Sequence, residues 1–142
     1  MNTKINVLVV DDMVAIRESL VAYLEDFGFV MTAAGSIREA TRILNGQSID
    51  VTVLDLRLPD GSGEFFSRTI LQTWPRVLCL FYTGSPEHQM PPDLKDHPRI
   101  CQKILQKPLM DMTRIVGLIR EMVARRDTEA RELPPQGGAD RV

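Results

Sequence analysis

Short apolar segments alternate along this chain with longer stretches in which apolar residues recur at helical spacing. The five apolar segments are residues 5–10, 29–34, 49–54, 76–82 and 100–106. Such an alternation is typical of α/β proteins, in which right-handed crossovers join the strands of one parallel sheet. The pattern therefore predicts a five-stranded parallel sheet with helices packed on both of its faces.

The helices between these segments have recognisable ends, with one exception. Ser36 and Glu39 form a capping-box pattern that predicts the start of the second helix, and Pro75 ends the third. Prolines crowd the region between the fourth and fifth strands, and proline fits only the first turn of a helix. We predict a loop from Ser85 to about Met90, then one short helix near 92–97. The fourth helix is thus expected to be short or broken.

Composition and charge exclude several classes of function. The net charge of −2 provides no basic field, so we expect no direct binding of nucleic acid by this chain. No apolar run approaches the roughly 18 residues that cross a membrane, and the N-terminal region is too short for a signal peptide. Cys79 and Cys101 lie in apolar runs and are expected to be buried thiols in a reducing cytoplasm. We predict one domain at 1–126 and a polar, mobile tail or linker at 127–142.

Polar residues end four of the five predicted strands. Asp11 and Asp12 end the first, Asp55 the third, Thr83 the fourth and Lys107 the fifth. The carboxyl ends of parallel strands meet at one edge of the sheet, where ligands of open α/β sheets bind. A single aspartate in such a place is ordinarily solvated by the next loop, but three carboxylates brought together would repel one another. A divalent cation would remove that repulsion and keep all three ionised.

The residue types at this edge also indicate the cation and the chemistry. Oxygen ligands without a nearby histidine or cysteine select a hard ion, and Mg²⁺ suits such an open site better than Ca²⁺. With that metal, the Lys107 ammonium and the Thr83 hydroxyl would suit the oxygens of a transferring phosphoryl group. Asp55 would then act as a nucleophile toward phosphorus and form an aspartyl-phosphate.

Taken in order, these pieces resemble the receiver domain of bacterial two-component response regulators. The resemblance rests on Val9–Asp12, Leu54–Gly61, Thr83–Gly84 and Lys107–Pro108, and it covers roughly residues 4–126. It implies a flavodoxin-like, doubly wound sheet of the chemotaxis-regulator type with strand order 2-1-3-4-5. It also implies a phosphorylation-controlled signalling switch, a regulatory phosphoacceptor domain that catalyses only its own phosphorylation and dephosphorylation. The partners implied are a histidine kinase or phosphotransfer protein and an unknown downstream protein.

The same resemblance implies a role for each residue at the strand ends. Asp55 would be the phosphoacceptor, and Thr83 and Lys107 would hold the phosphoryl oxygens. Asp12 would bind Mg²⁺ directly and Asp11 largely through water, with Asp55 as a further metal ligand.

Other positions near the strand ends either match the receiver pattern or differ from it. The backbone carbonyl of Arg57 would be another metal ligand, and Met13, Arg57 and Ser85 would lie near the mouth of the site, where receivers tune the lifetime of the phosphorylated state. Receivers usually carry an aromatic switch residue three positions before the lysine, whereas this chain carries Ile104 there. Tyr82 should point away from the threonine that follows it, so it is no obvious substitute.

Two other functions fit parts of the sequence. A pseudo-receiver would bind a partner constitutively. The missing aromatic residue at position 104 favours this reading, whereas the complete set of site residues argues against it. A phosphohydrolase with the same acidic cleft would need a second general acid two residues after the nucleophile, where Arg57 stands. The residues after 126 are too few for a helix-turn-helix output domain. A stand-alone receiver and a receiver cut from a longer protein therefore both remain open.

Overall fold

The computed structural model describes residues 4–84, 88–108 and 111–132. The strands are β1 (Asn6–Val10), β2 (Val30–Ala34), β3 (Val51–Leu54), β4 (Arg57–Leu58), β5 (Gly61–Ser62), β6 (Leu78–Thr83) and β7 (Leu105–Gln106). The helices are α1 (Val14–Asp26), α2 (Ile37–Gly46), α3 (Gly63–Thr73) and α4 (Thr113–Glu132). Ser85, expected near the mouth of the site, and the predicted tail beyond residue 132 lie outside the described residues.

Five of these strands form one parallel sheet in the order β2-β1-β3-β6-β7. The two-residue strands β4 and β5 form a separate antiparallel hairpin. When this hairpin is left out of the count, the order is 2-1-3-4-5, which confirms the predicted flavodoxin-like, doubly wound α/β fold. The strand order reverses between β1 and β3, so the loops that follow these two strands diverge and open a crevice at the carboxyl edge.

Alternating strand residues pack into two apolar clusters, one on each face of the sheet. Along β1, Val7 and Val9 belong to the first cluster, while Leu8 and Val10 belong to the second. Helices α1 and α4 cover the first cluster with Leu20, Leu24, Ile115 and Ile119. Helices α2 and α3 cover the second with Ala40, Leu44, Phe66 and Ile70. The central strands are thus buried on both faces, which explains their continuous apolar sequences. The two cysteines are buried free thiols, as predicted.

The fifth strand of the sheet is shorter than predicted. The apolar run predicted a strand over 100–106, but only Leu105–Gln106 pairs with β6. Upstream, Ile100 makes one isolated bridge to Cys79. The side-chain amide of Gln102 donates to the Ile100 carbonyl at 3.0 Å, so a side chain within the run satisfies this backbone group.

The predicted short helix over 92–97 is wrong, because these residues form hydrogen-bonded turns. Two amides donate to the Pro91 carbonyl, at 3.0 and 2.9 Å, and close a single turn. Asp96 then adopts a left-handed φ of 64°, and Pro98 follows, so the turn cannot extend into a helix. Among the described residues between β6 and β7 there is no helix, which confirms that the fourth helix of the fold is broken.

Side chains attach this irregular segment, residues 88–104, to α3. Arg99 donates to three backbone carbonyls: those of Leu71 and Val77, at 3.1 and 3.0 Å, and that of Trp74. The first and last lie in the final turn of α3 and at its C-cap, where carbonyls have no partner within the helix. Arg68 of α3 makes two hydrogen bonds to the Asp93 carboxylate, at 2.6 and 3.0 Å. The segment is therefore docked on α3 although it has no regular structure of its own.

Helix α4 continues to Glu132, beyond the predicted domain boundary at Arg126. The Arg126 guanidinium donates to the Asp50 carboxylate at 3.0 Å and to the Arg76 carbonyl at 2.9 Å, which fixes this end of the helix to the sheet. The division into a domain and a tail at 126 stays a prediction. Across the ranges that the structure describes, no helix combines the length and apolarity needed to cross a membrane.

Candidate functional site

The carboxylates of Asp11 and Asp55 lie close together at the carboxyl edge of the sheet. Each residue directly follows a strand, and its amide continues the ladder: that of Asp11 donates to the Ala34 carbonyl and that of Asp55 to the Val10 carbonyl, both at 3.0 Å. Asp11 and Asp55 are 1% and 7% exposed, whereas Asp12 is exposed. Carboxylate oxygens of these three aspartates lie within 4.8 Å of one another. The predicted acidic cluster is therefore present.

Lys107 places a positive charge inside this cluster. Its ammonium lies 2.6 Å from Asp11 Oδ2 and 2.9 Å from Asp55 Oδ2, and its side chain is only 9% exposed. The Lys107 amide donates to the Thr83 carbonyl at 2.8 Å, which aligns the end of the fifth strand with that of the fourth. The Tyr82 ring lies beside the ammonium, with 5.6 Å between the ring centroid and Nζ. Residues from four distant parts of the sequence thus meet at one point.

Burial and Lys107 act in opposite directions on the ionisation of Asp55. Burial raises the pKa of the Asp55 carboxyl, Lys107 lowers it, and the charge of Asp11 raises it again, so that the pKa lies above its ordinary value. Burial lowers the pKa of Lys107, but its hydrogen bonds to Asp11 and Asp55 outweigh this effect, and that pKa also lies above its ordinary value. Lys107 therefore stays protonated, while the ionised form of Asp55 is less favoured than in water. A further cation at the cluster would favour the ionised carboxylates.

The donor atoms at this edge of the sheet fit a hard divalent cation. The cluster offers three carboxylates and contains neither histidine nor cysteine. Asp11 is oriented locally, because the Met13 amide donates to its Oδ1 at 2.9 Å and the Arg17 guanidinium donates to its carbonyl at 2.8 Å. The exposed Asp12 leaves one side open to solvent. Oxygen-only ligands beside open solvent suit Mg²⁺, which usually retains several waters when bound.

A short loop after Asp55 packs against the backbone of that residue. Strands β4 and β5 form this loop, which we call the 57–62 hairpin. Just after it, the Gly63 amide donates to the Leu56 carbonyl at 2.9 Å. A Cβ atom on Gly63 would lie 2.1 Å from the Asp55 carbonyl oxygen, so only glycine fits there. The Arg57 amide faces Asp55 Oδ1 at 3.5 Å. The direction of the Arg57 carbonyl toward a metal stays a prediction.

Sequence reasoning missed Asp60, which ties the hairpin to α2. Its two carboxylate oxygens accept the amides of Ile37 and Arg38, each at 2.9 Å, in the first turn of that helix. These bonds lower the pKa of Asp60 although its side chain is exposed. The Pro-Asp-Gly sequence signals a turn, but a turn signal contains no information about a partner more than twenty residues earlier.

The other predicted positions surround the cluster at different depths. Thr83 is 1% exposed at the end of β6. Ile104 is partly buried against the second apolar cluster, whereas Tyr82 belongs to the first, on the opposite face of the sheet. Met13 is 54% exposed, and Arg57 is also exposed. These placements are compatible with the predicted roles, which stay predictions.

An open, largely apolar groove of about 590 Å³ begins at Lys107 and runs between α1 and the start of α4. Its lining includes Met13, Ile16, Leu20, Tyr82 and Met112. No sequence pattern indicates this groove, because its walls come from three separated parts of the chain. It adds an apolar surface directly beside the charged cluster.

Comparisons with known proteins agree with this arrangement. The model of the response regulator receiver domain family matches residues 7–120. The DNA-binding transcriptional activator DevR/DosR of Mycobacterium tuberculosis is 38% identical over 82 residues, which cover 56% of this chain and 38% of that protein. A receiver domain protein from Methanospirillum hungatei superposes with a TM-score of 0.78 at 20% identity, over 89% of this chain and 99% of that one. Response regulator TrrA of Thermotoga maritima superposes with a TM-score of 0.72 at 19% identity, over 83% of this chain and 98% of that one.

These matches differ in what they establish. The chain spans well under half the length of DevR/DosR, and the two structures, at about 20% identity, show the fold alone. The family match is broader, because residues 7–120 include the sheet from Val7 onward, the three aspartates and Lys107. This chain therefore belongs to the response regulator receiver domain family.

Proposed function

We propose that this receiver domain is a phosphorylation-controlled switch of a two-component phosphorelay, in which Asp55 accepts the phosphoryl group with the help of Mg²⁺. The observation that carries the proposal is the Lys107 ammonium shared between Asp11 and Asp55, at 2.6 and 2.9 Å. The cluster combines a carboxylate nucleophile, oxygen ligands for a divalent cation and a positive charge for phosphoryl oxygens. Family membership supports the general role of a regulatory domain.

The transfer requires one bond to form and one to break. A carboxylate oxygen of Asp55 would attack phosphorus, while the bond from phosphorus to the donor atom breaks and its electron pair leaves with the donor. The Lys107 ammonium and the Thr83 hydroxyl would then contact the phosphoryl oxygens. Because Asp11 also pairs with Lys107, the ammonium stays at the site after Asp55 has become an acyl phosphate.

Asp11, Asp12, Asp55 and the Arg57 carbonyl are the groups that we propose would hold Mg²⁺. When bound, this ion reduces the repulsion between the carboxylates and the incoming phosphoryl group. TrrA of Thermotoga maritima, which shares this fold, has been crystallised in complex with Mg(2+)-BeF. That complex supports a magnesium-dependent site in this chain.

We propose a histidine kinase or a phosphotransfer protein as the phosphodonor. The groove beside Lys107, together with Met13 and Val14, which are 54% and 52% exposed, offers an apolar surface for such a donor at the mouth of the site. The downstream partner would be another protein, because the net charge of −2 does not favour direct contact with nucleic acid.

Incubation with acetyl phosphate and Mg²⁺, followed by measurement of the intact mass, tests the proposal. We expect one phosphoryl adduct on the wild-type chain and none on Asp55→Asn, because the carboxylamide is not a nucleophile toward phosphorus. Asp93→Asn is a matched control that removes the charge of an exposed aspartate paired with Arg68 of α3, outside the acidic cluster, and should keep the adduct. An adduct that persists in Asp55→Asn would place the phosphorylation elsewhere.

A pseudo-receiver that binds its partner constitutively is the alternative. It is favoured by Ile104, which stands where receivers usually carry an aromatic switch residue. It is disfavoured by the buried pair of Asp55 and Lys107, which a constitutive binding module does not need. A wild-type chain that forms no adduct with any donor would support this alternative. The phosphohydrolase hypothesis lacks its second acid, because the always protonated guanidinium of Arg57 cannot serve as a general acid.

We further propose that phosphorylation is read out through rearrangement of the loop at 84–97. Its described part, from residue 88 onward, contacts α3 close to the site: His88 Nε2 lies 2.6 Å from Glu64 Oε2, and Glu64 is in the first turn of that helix. The same helix begins at Gly63, which packs on the backbone of Asp55. A change at Asp55 can therefore affect this loop through α3, which contacts both.

Hydrogen exchange with and without beryllium fluoride and Mg²⁺ tests this readout. We expect the amides of 88–97 to change their protection in the wild-type chain, because contacts between α3 and the loop would be rearranged. Asp55→Asn is the control and should show no change. Unchanged protection across 88–97 in wild-type protein that carries the phosphoryl mimic would exclude the loop as the element that reads phosphorylation.

A further inference from the structure

The 57–62 hairpin depends on contacts outside itself for its position. Each of its strands has only two residues, and a two-stranded hairpin of this size is not stable alone in water. At its C-terminal end, the Gly63 amide donates to Leu56 at 2.9 Å. At its tip, the Asp60 carboxylate accepts the amides of Ile37 and Arg38, both at 2.9 Å. The tip is therefore fixed to the start of α2 and not to the sheet.

Three features show that this contact with α2 is a close fit. Both Asp60 oxygens are used, and the two amides belong to the first turn of α2, where backbone donors have no partner within the helix. Ser36 caps the same turn through a separate bond, in which its hydroxyl accepts the Glu39 amide at 3.1 Å. A Cβ atom on Gly61, the residue after Asp60, would lie 2.9 Å from Ile37 Cδ1. The hairpin tip and α2 are thus in direct contact around the two hydrogen bonds.

The other end of the hairpin reaches the acidic cluster. Arg57 begins β4, and its amide faces Asp55 Oδ1 at 3.5 Å. The Arg57 carbonyl is the backbone ligand in the magnesium site proposed above. The hairpin spans only six residues, so a shift of its tip moves the backbone of Arg57 as well. The geometry of the site at Arg57 therefore depends on the position of α2.

We propose that Asp60 is a positioning residue for the metal site: by fixing the 57–62 hairpin to the N-terminus of α2, it holds the backbone of Arg57 in place beside Asp55. This inference rests on the proposed magnesium-dependent function. Asp60 does not contact the metal, and it acts through Arg57. Groups that orient metal ligands commonly contribute as much to metal affinity as some ligands do. A further consequence is that Mg²⁺ and the start of α2 stabilise each other, because coupling between two sites is reciprocal.

Magnesium titrations of three variants test this role. In calorimetry, Asp60→Ala is expected to weaken Mg²⁺ binding about tenfold, in line with the loss of other groups that orient metal ligands. Asp60→Asn keeps one acceptor for the helix amides and should show a smaller loss. Ser36→Ala is the matched control, because it removes a cap from the same turn of α2 without touching the hairpin. It should destabilise the protein and weaken Mg²⁺ binding much less than Asp60→Ala does.

Labelling rates separate positioning from a general loss of structure. With acetyl phosphate as donor, the Mg²⁺ concentration for half-maximal labelling should rise in Asp60→Ala, while the rate at saturating Mg²⁺ stays close to that of the wild type. In the wild-type chain, Mg²⁺ should slow hydrogen exchange of the Ile37 and Arg38 amides. This last measurement needs no variant and remains decisive even if Asp60→Ala fails to fold.

The inference is overturned if Asp60→Ala keeps wild-type affinity for Mg²⁺, if Ser36→Ala weakens binding as much, or if Mg²⁺ leaves the Ile37 and Arg38 amides unaffected. Failure of the proposed function gives a different result: the wild-type chain itself would then bind no Mg²⁺ and take no phosphoryl group. In that case Asp60 has no metal site to position, and the measurement on the wild-type chain is enough to show that the proposed function has failed.

Discussion

Replacement of Lys107 by methionine is expected to lower the free energy of unfolding by about 3 kcal/mol at neutral pH, because it leaves two buried carboxylates without a counter-charge. The side chains of Lys107, Asp11 and Asp55 are only 9%, 2% and 9% exposed, so water compensates poorly for the lost ammonium. Methionine fills a similar volume and limits the effect of an empty cavity. Urea denaturation monitored by circular dichroism measures the change.

The control for this variant is Lys103→Met, which removes an exposed lysine from the same part of the chain. We expect its effect on unfolding to stay within about 0.5 kcal/mol, as for most surface substitutions. Addition of Mg²⁺ should return part of the stability lost in Lys107→Met, because a divalent cation also neutralises the carboxylates. Equal stability of Lys107→Met and the wild-type chain would contradict the ion pairs described here.

The effect of Lys107→Met should also depend on pH in a defined direction. In the folded chain the pKa of Asp55 lies above its ordinary value. Proton binding by Asp55 therefore stabilises the folded chain fully at a pH below the ordinary pKa, and this stabilisation is lost as pH rises through the folded-state pKa. Lys107 lowers this pKa, and its removal therefore raises it further. The difference between variant and wild type should be largest at neutral pH and should shrink toward about pH 4, where carboxylates become protonated.

Gly63→Ala is expected to cost about 3 kcal/mol of stability and to reduce phosphorylation of Asp55, since the added methyl group cannot be accommodated. The new Cβ atom would lie 2.1 Å from the Asp55 carbonyl oxygen and 2.9 Å from the Leu56 Cα atom. Both neighbours are backbone atoms, so neither can move aside by a change of rotamer. The start of α3 or the backbone of Asp55 must shift. Thermal unfolding and the acetyl phosphate assay report the two effects separately.

Gly117→Ala provides the matched control for this substitution. Gly117 lies within α4, and apart from the backbone of its own helix no described atom lies within 4 Å of its potential Cβ position. Alanine should stabilise the chain there by about 0.5–1 kcal/mol, because it favours the helix more than glycine does. If Gly63→Ala proved as stable as the wild-type chain, the close approach of α3 to Asp55 would be wrong.

The residues at the ends of strands could be predicted because their placement follows from topology. Asp11, Asp55 and Lys107 each follow an apolar run, and parallel strands bring such positions to one edge whatever the loops between them do. Alternation along a strand also predicted that Tyr82 points away from Thr83, and Tyr82 belongs to the first apolar cluster. The fold and the acidic cluster could therefore be predicted from the sequence.

Contacts between a side chain and a distant backbone could not be predicted. Asp60 accepts amides of α2, and Arg99 donates to carbonyls of α3, although neither residue lies in an apolar or charged pattern that indicates such a partner. The apolar run at 100–106 predicted a strand, but Gln102 donates to the Ile100 carbonyl within the run, and pairing with β6 is limited to Leu105–Gln106 and the isolated bridge at Ile100. In each case a polar side chain takes the place of a regular backbone hydrogen bond, and the spacing of apolar residues does not indicate such a contact.

The attachment of the 88–104 segment through Arg99 has a consequence for mutational scans of this protein. Irregular connections usually tolerate substitution, because few of their side chains contribute to stability. Arg99 is an exception, since its guanidinium donates to two carbonyls at the end of α3 and to a third, that of Val77, just before β6. Lysine cannot reproduce that planar fork. Sensitivity to substitution at position 99 should therefore resemble that of a core position, and a scan would mark as intolerant a residue that secondary structure alone assigns to a variable loop.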